Sequence, residues 1–285
     1  MQVGVDVGGT KIEAALIEDL NILRKVKRKT EAEKGKEAVL KNIVASINEV
    51  FSPSVTAIGV GIAGPTNPDK GVLLESPHIP CLVNFPLRDF LEKEFKAKVV
   101  VDNDARMFTL GEYDLYRKNM VGLTLGTGIG GAAVVDDVME ANPKTAGEEI
   151  GHLKIVENGR RCSCGARGCL EAYASGSAIE KRYREFAGKK LTAKEIAEKA
   201  AKGNKVAGKV VEEAGKYLGR GLAKILERHS PEVIVIGGSV SNTIGLIETA
   251  IEEFKKIKPE AKVRIEKSKM RNAALFGAAL KSRQM

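Results

Sequence analysis

The sequence predicts an α/β protein of two lobes with a cleft between them, built by internal duplication. Three observations carry this expectation. At 285 residues the chain exceeds what one compact core usually holds. Short apolar strand patterns alternate with stretches of helical periodicity. The opening run Val3-Gly4-Val5-Asp6-Val7-Gly8-Gly9 returns as Val121-Gly122-Leu123-Thr124-Leu125-Gly126-Thr127, and each copy is followed by a second apolar strand.

Composition narrows the class. With 43% hydrophobic and 29% charged residues the chain suits a soluble α/β protein and does not resemble a disordered one. No apolar run approaches the roughly 20 residues that span a bilayer, and the chain opens on a strand pattern rather than a signal peptide, so a cytoplasmic protein without a membrane partner is expected. The net charge is +9, yet Trp is absent, aromatic residues are few and no nucleic-acid motif is present, so no nucleic-acid partner is expected. The basic residues Arg24, Lys25, Lys27, Arg28 and Lys29 read instead as guards of an exposed sheet edge.

The elements follow in order. Gln2 to Val7 and Lys11 to Ile17 read as a hairpin tipped by Gly8-Gly9-Thr10, with a third strand over Ile22 to Thr30. Val39, Ile43, Ile47 and Val50 give a helix over Lys36 to Val50. Ala57 to Ile62 is a buried strand that ends in the turn Gly61 to Pro65. A helix over Leu87 to Phe95 precedes a short strand at Val99 to Val101, and a helix over Ala105 to Tyr116 follows. In the second half, helices are expected over Ala178 to Phe186, Thr192 to Lys202, Val206 to Arg228, Ile244 to Ile257 and Ala273 to Lys281. Strands are expected at Val233 to Ile236 and Val263 to Lys267.

Several stretches can carry chemistry. Gly126-Thr127-Gly128-Ile129-Gly130-Gly131 has GxGxxG spacing, but a strand follows it rather than a helix, so the dinucleotide-binding reading fails. A glycine-rich hairpin tip still offers backbone N–H groups to phosphate oxygens, and Thr127 adds a hydroxyl. One such loop alone is an ordinary hairpin; two, at Gly8 and Gly126, point to a nucleotide clasp. Asp6 can hold Mg2+, directly or through water, while Thr10 and Lys11 meet the phosphates, or it can simply cap the turn. Asp102-Asn103-Asp104 follows a buried strand, where open α/β sheets place ligands. One aspartate there can be a base and the asparagine a hydroxyl reader, although such residues in turns also just satisfy the backbone.

The strongest local signal is Cys162-Ser163-Cys164-Gly165-Ala166-Arg167-Gly168-Cys169, with His152 ten residues upstream. Packing needs no such grouping, and a reducing compartment disfavours disulfides, so His152, Cys162, Cys164 and Cys169 are expected to hold a zinc ion. Four protein ligands leave no open position, which makes the metal structural. Fixing His152 and this loop also fixes Glu149 and Glu171. Cys81 stands apart as a small apolar residue.

Together these motifs resemble the ROK family of sugar kinases over nearly the whole chain. Asp6-Val7-Gly8-Gly9-Thr10-Lys11 and Leu125 to Gly131 are similar to its two phosphate motifs, including Gly126, Thr127, Gly128 and Gly130. Gly61 to Pro65 resembles its interdomain turn, Asp102 to Ala105 its catalytic segment, Glu149-Ile150-Gly151-His152 its ExGH motif, Cys162 to Glu171 its CxCGxxGCxE signature, and Ile236-Gly237-Gly238 its nucleotide-binding turn. The segment Pro77 to Leu87 lacks the tryptophan often found in the family's glucokinases.

The resemblance implies an actin-like, ribonuclease H-like ATPase fold. It implies lobes at 1–104 with 273–285 and at 105–272, the second carrying the zinc segment. It implies Asp104 as general base, with Gly64, Asn103, Glu149, His152 and Glu171 at the sugar. The expected activity is ATP- and Mg2+-dependent phosphorylation of a hexose C6 hydroxyl, glucose first, by a homodimer or larger homo-oligomer. The alternatives are an N-acetylmannosamine or N-acetylglucosamine kinase, and a non-catalytic sugar sensor. Because the first strand is expected at Gln2, an N-terminal helix-turn-helix like that of ROK repressors is not expected.

Overall fold

The computed structural model describes residues 1–141 and 149–283. Along the chain the elements are β1 (Gln2–Val7), β2 (Lys11–Glu18), β3 (Asn21–Lys29), α1 (Lys36–Val50), β4 (Ala57–Ile62), β5 (Thr66–Asn67), β6 (Val72–Leu73), α2 (Leu87–Phe95), β7 (Lys98–Asn103) and α3 (Asp104–Tyr116). They continue with β8 (Met120–Leu125), β9 (Ile129–Val135), β10 (Val138–Met139), α4 (Glu171–Ala174), α5 (Gly176–Ala187) and α6 (Ala193–Ala201). The chain closes with α7 (Lys205–His229), β11 (Val233–Gly237), α8 (Leu246–Ile257), β12 (Arg264–Lys267) and α9 (Ala273–Arg283).

The chain forms two compact units, Met1–Arg117 with Met139–Ala146 and Met270–Met285, and Lys118–Val138 with Gly147–Lys269. The boundary expected after Asp104 falls later, at Arg117, because α3 packs along α9, and Met107 and Ala278 share one core with Val100.

The first unit holds a sheet ordered β3-β2-β1-β4-β7 and the second a sheet ordered β10-β9-β8-β11-β12. In the first, β1 runs antiparallel to β2 and parallel to β4, which is parallel to β7. In the second, β8 runs antiparallel to β9 and parallel to β11, which is parallel to β12. Position for position the two sheets agree, which is the internal duplication read from the repeated opening pattern.

Alternation along the strands sets the packing of the first unit. Val3, Val5 and Val7 of β1, with Ile58, Val60 and Ile62 of β4, meet Val39, Ile43, Ile47 and Val50 of α1. Burying one such side chain is worth about 1.5–3 kcal/mol. On the opposite face α9 lies directly on the strand backbone: a Cβ at Gly59 would come 1.8 Å from the Ala278 carbonyl oxygen. The strand register leaves the chain ends flush, because Val7 pairs with Ile62 and Ile62 with Asn103. The Gly8 loop, the Ala63–Pro65 turn and Asp104 therefore emerge side by side.

The basic strand β3 does lie at the sheet edge. Its charges are partly paired, Arg28 with Glu49 and Lys25 with Glu13 at 3.3 Å. The second unit is organised around α7, whose Leu218, Leu222 and Ile225 pack with Leu246 and Phe254 of α8 and with Val121, Leu123, Ile234 and Ile236 of the sheet. Among the described residues no helix is long and apolar enough to cross a membrane.

Candidate active site

In the first unit, the Gly8 loop is closed by the Gly8 N–H donating to the Lys11 carbonyl at 2.9 Å. Thr30 clamps it from the next strand's end: its hydroxyl donates to the Gly8 carbonyl at 2.6 Å and its N–H to the Thr10 carbonyl at 3.0 Å. Thr30 is fully buried, and nothing in its sequence surroundings marks this role. Lys11 bonds Glu13 at 2.9 Å and remains half exposed. Asp6 lies one residue before the end of β1, and burial, followed by the negative charge of Asp104, pushes its carboxyl up to about 7, with Lys11 pulling the other way.

The sign for stability follows. A carboxyl whose pKa is raised on folding costs stability as pH rises from its unfolded value near 3.8 through 7, and the cost is fully present above that window. Asp6→Asn is expected to raise the stability of the ligand-free protein at pH 8 by about 1–2 kcal/mol, and to change it little at pH 4. Thermal melts at the two pH values in magnesium-free buffer check this.

The end of β7 is held by a dense polar network. Asn103 caps α3, its Oδ1 accepting from the Arg106 N–H at 3.1 Å while its Nδ2 donates to the Gly64 carbonyl at 2.9 Å. Asp102 beneath it is buried and accepts from Thr66 Oγ1 at 3.1 Å, from the Asn103 N–H at 2.7 Å and from Arg106 Nε at 3.1 Å. Arg106 reaches on to the Glu140 carbonyl at 2.5 Å. Asp104 is thereby fixed at the first turn of α3, where its Oδ1 accepts from the Ala105 N–H at 2.8 Å. Burial raises the Asp104 carboxyl above the ordinary carboxylate range, against the lowering effects of the Ala105 N–H and of His78.

The Asp102–Arg106 pair is buried on both sides, with side-chain exposures of 2% and 9%. Arg106→Met strands the Asp102 charge and is expected to cost about 3–5 kcal/mol, while Asp102→Asn with Arg106→Met recovers much of that loss. Urea unfolding of both variants is the check. Sequence reasoning named Asp102 and Asn103 but not Thr66 or Arg106, whose roles come only from the fold.

In the second unit the Gly126 loop is closed by the Gly126 N–H donating to the Gly128 carbonyl at 3.0 Å. The start of α5 docks on this loop, the Gly176 N–H donating to the Gly126 carbonyl at 2.9 Å and the Ser177 N–H to the Thr127 carbonyl at 3.1 Å. Gly237 pairs with Thr124, which sets the Gly237-Gly238 turn beside the same loop. Glu171 links loop to cysteine segment. Its Oε2 accepts from the Ile129 N–H at 3.0 Å and its Oε1 from the Ser163 hydroxyl at 2.6 Å, a contact the motif did not announce. Glu149 leads into a short turn, where the His152 N–H donates to the Glu149 carbonyl at 2.9 Å.

The ligand atoms of His152, Cys162, Cys164 and Cys169 all lie within 4.8 Å of one another. The Cys164 and Cys169 sulfurs are 3.8 Å apart, and Cys162 Sγ stands 3.3 Å from His152 Nδ1. A tetrahedral zinc with ordinary Zn–S and Zn–N bonds requires separations of about 3.8 and 3.5 Å. The donor set thus fits zinc in number, type and spacing. Without a cation, burial and the neighbouring cysteines push the Cys169 thiol up to about 12, so a thiolate here needs a metal. The loop backbone is independently ordered: the Cys162 N–H donates to the Ala166 carbonyl at 2.8 Å, and the Tyr173 hydroxyl accepts from the Arg160 N–H at 2.8 Å.

Comparison with known proteins identifies the family. The model of the ROK family matches residues 2–284. A glucokinase of Thermotoga maritima is 37% identical over 259 residues, covering 84% of this chain and 82% of that protein. An N-acetylmannosamine kinase of Haemophilus influenzae is 31% identical over 288 residues, covering 96% of this chain and 93% of that protein. The crystal structure of a ROK family glucokinase from Streptomyces griseus in complex with glucose and AMPPNP superposes with a TM-score of 0.88 at 28% identity, covering 100% of this chain and 99% of that one. With matched sheets, glycine loops, an aspartate at the end of β7 and a Cys3His cluster, this chain belongs to the ROK family and has its actin-like ATPase fold.

Proposed function

We propose that this protein is an ATP-dependent hexose kinase that phosphorylates the C6 hydroxyl, with glucose as its first substrate. The observation that carries the reading is Asp104, a partly buried carboxyl of raised proton affinity, held at the start of α3 at strand ends flush with the Gly8 loop. The similarity to glucokinases supports the choice of sugar.

Asp104 accepts the proton of the sugar hydroxyl as its oxygen attacks the γ-phosphorus of ATP. The bond from that oxygen to phosphorus forms as the bond to the β-phosphate oxygen breaks, and ADP leaves. Little covalent chemistry falls to the protein, so positioning and charge decide the rate. Backbone N–H groups of Gly8, Gly9, Gly126, Gly128 and Gly130, hydroxyls of Thr10 and Thr127, and Lys11 bind phosphates, with Gly237 and Gly238 at the nucleotide. Gly64, Asn103, Glu149, His152 and Glu171 hold the sugar.

Mg2+, as the partner of ATP, supplies charge stabilisation of the phosphates. Asp6 suits it, because its carboxyl, held protonated by burial and by the negative charge of Asp104, is a hard oxygen ligand whose strain a divalent cation relieves. His152, Cys162, Cys164 and Cys169 would hold a zinc ion that sets geometry only. His152 would serve both partners, one ring nitrogen on the metal and the other toward a hydroxyl. A metal-type thiol cluster suits a reducing compartment, which favours the cytoplasm, and the family resemblance favours a homodimer or larger assembly.

A second reading, N-acetylmannosamine or N-acetylglucosamine kinase, is favoured by the similarity to the Haemophilus influenzae enzyme. An ADP-coupled screen over glucose, mannose, fructose, glucosamine and the N-acetylhexosamines separates the two. The highest kcat/KM is expected with glucose. A higher value with an N-acetylhexosamine selects the second reading, and hexose binding without ADP release would make the protein a sensor.

A further inference from the structure

The segment between β6 and α2 brings a histidine to the first phosphate loop. Ser76 is buried, and its Oγ accepts from the backbone N–H of His78 at 3.3 Å and of Ile79 at 3.1 Å. Ile79 is fully buried. A hydroxyl-closed turn with both ends anchored therefore holds His78 outward, and its side chain is exposed.

His78 is seated on the glycine loop. A Cβ at Gly9 would lie 2.7 Å from the Cβ of His78 and 3.4 Å from its Cγ, so the imidazole leaves the backbone directly over residue 9. The same ring is close enough to Asp104 for its charge to favour the carboxylate. The other charged groups that act on this cluster are Asp6 of β1, Lys11 and Glu13 of β2, and Lys25 of β3. Lys11 and Lys25 both pair with Glu13, whereas the imidazole is seated on Gly9.

In-line transfer restricts what can lie between a phosphate loop and the base. The base sits about 3 Å from the acceptor oxygen, which sits about 3 Å from the phosphorus it attacks. The α- and β-phosphates extend away from that point. A side chain near both Gly9 and Asp104 is thus placed for the terminal phosphoryl group, not for the rest of the nucleotide.

We propose that His78 binds the terminal phosphoryl group of the nucleotide, its ring N–H donating to a γ-phosphoryl oxygen. This rests on the reading of Asp104 as the base. An imidazole offers an N–H in either protonation state, so the contact does not depend on a proton being gained.

Calorimetric titration with Mg-AMPPNP and Mg-ADP, which differ by the γ-phosphoryl group, tests it on the wild type, His78→Ala and His78→Gln. His78→Ala is expected to weaken AMPPNP about tenfold and to leave ADP within about twofold; His78→Gln, which keeps a donor, should fall between. Equal weakening of both nucleotides would mean that His78 only shapes the loop, and unchanged AMPPNP affinity would mean that it makes no contact. Either result overturns the proposal. Asp104→Asn assayed alongside separates the two readings. Retained turnover in that variant defeats the base assignment, whereas lost turnover together with an unaltered AMPPNP-to-ADP preference in His78→Ala defeats the His78 assignment alone.

Discussion

Asp104→Asn is expected to lower kcat by about 10³-fold or more while the affinities for hexose and Mg-AMPPNP stay within a few fold of the wild type. The substitution keeps the side chain's shape and the acceptor oxygen that bonds the Ala105 N–H. It removes only the ability to take a proton, so the loss belongs in the chemical step rather than in binding. The pH dependence carries the same signature. Because burial raises the Asp104 carboxyl, the acid limb of kcat/KM should lie above the ordinary carboxylate range, with activity falling as pH drops through that limb. A variant that keeps a tenth of the wild-type kcat would remove Asp104 from its role.

Loss of the metal is the second large effect. Elemental analysis of the purified protein should find about one zinc per chain. Cys169→Ser, or stripping with a strong chelator, should release it and unravel the segment between His152 and Glu171, because structural zinc sites contribute folding free energy directly. Glu171 takes part in both the cysteine loop, through Ser163, and the second phosphate loop, through the Ile129 N–H. The KM for hexose should therefore rise by about tenfold or more, with a loss of thermal stability, and added zinc should restore both in the chelated protein. A zinc-free protein with full activity and an unchanged melting temperature would refute the structural role.

Much of this architecture is legible in the sequence, for identifiable reasons. The strands β1, β4 and β8 are short apolar runs ended by glycine turns, and α1 has a clean apolar stripe, so local pattern and tertiary burial agree. The duplication is legible because both copies keep a strand-turn-strand unit, and the paired sheets preserve it. The Cys3His cluster is legible because its ligand spacing has few other uses.

What sequence could not show depends on contacts between distant residues. Thr30 reaches Gly8 only because β3 ends beside the first hairpin tip, and Arg106 pairs with Asp102 only because α3 begins where β7 stops. The unit boundary at Arg117 is hidden for a similar reason: the last helix returns to pack on α3, and no local pattern between residues 105 and 117 records that partner. His78 stands in an irregular segment, where periodicity carries no information.

The most direct measurement of the central claim follows the phosphorus. The protein is incubated with Mg-ATP and glucose, and the products are resolved by 31P NMR. Glucose 6-phosphate should appear in step with ADP, one for one, with no inorganic phosphate and no turnover in the absence of sugar. Sugar-independent release of inorganic phosphate, or phosphorylation at another hydroxyl, would contradict transfer to the C6 oxygen.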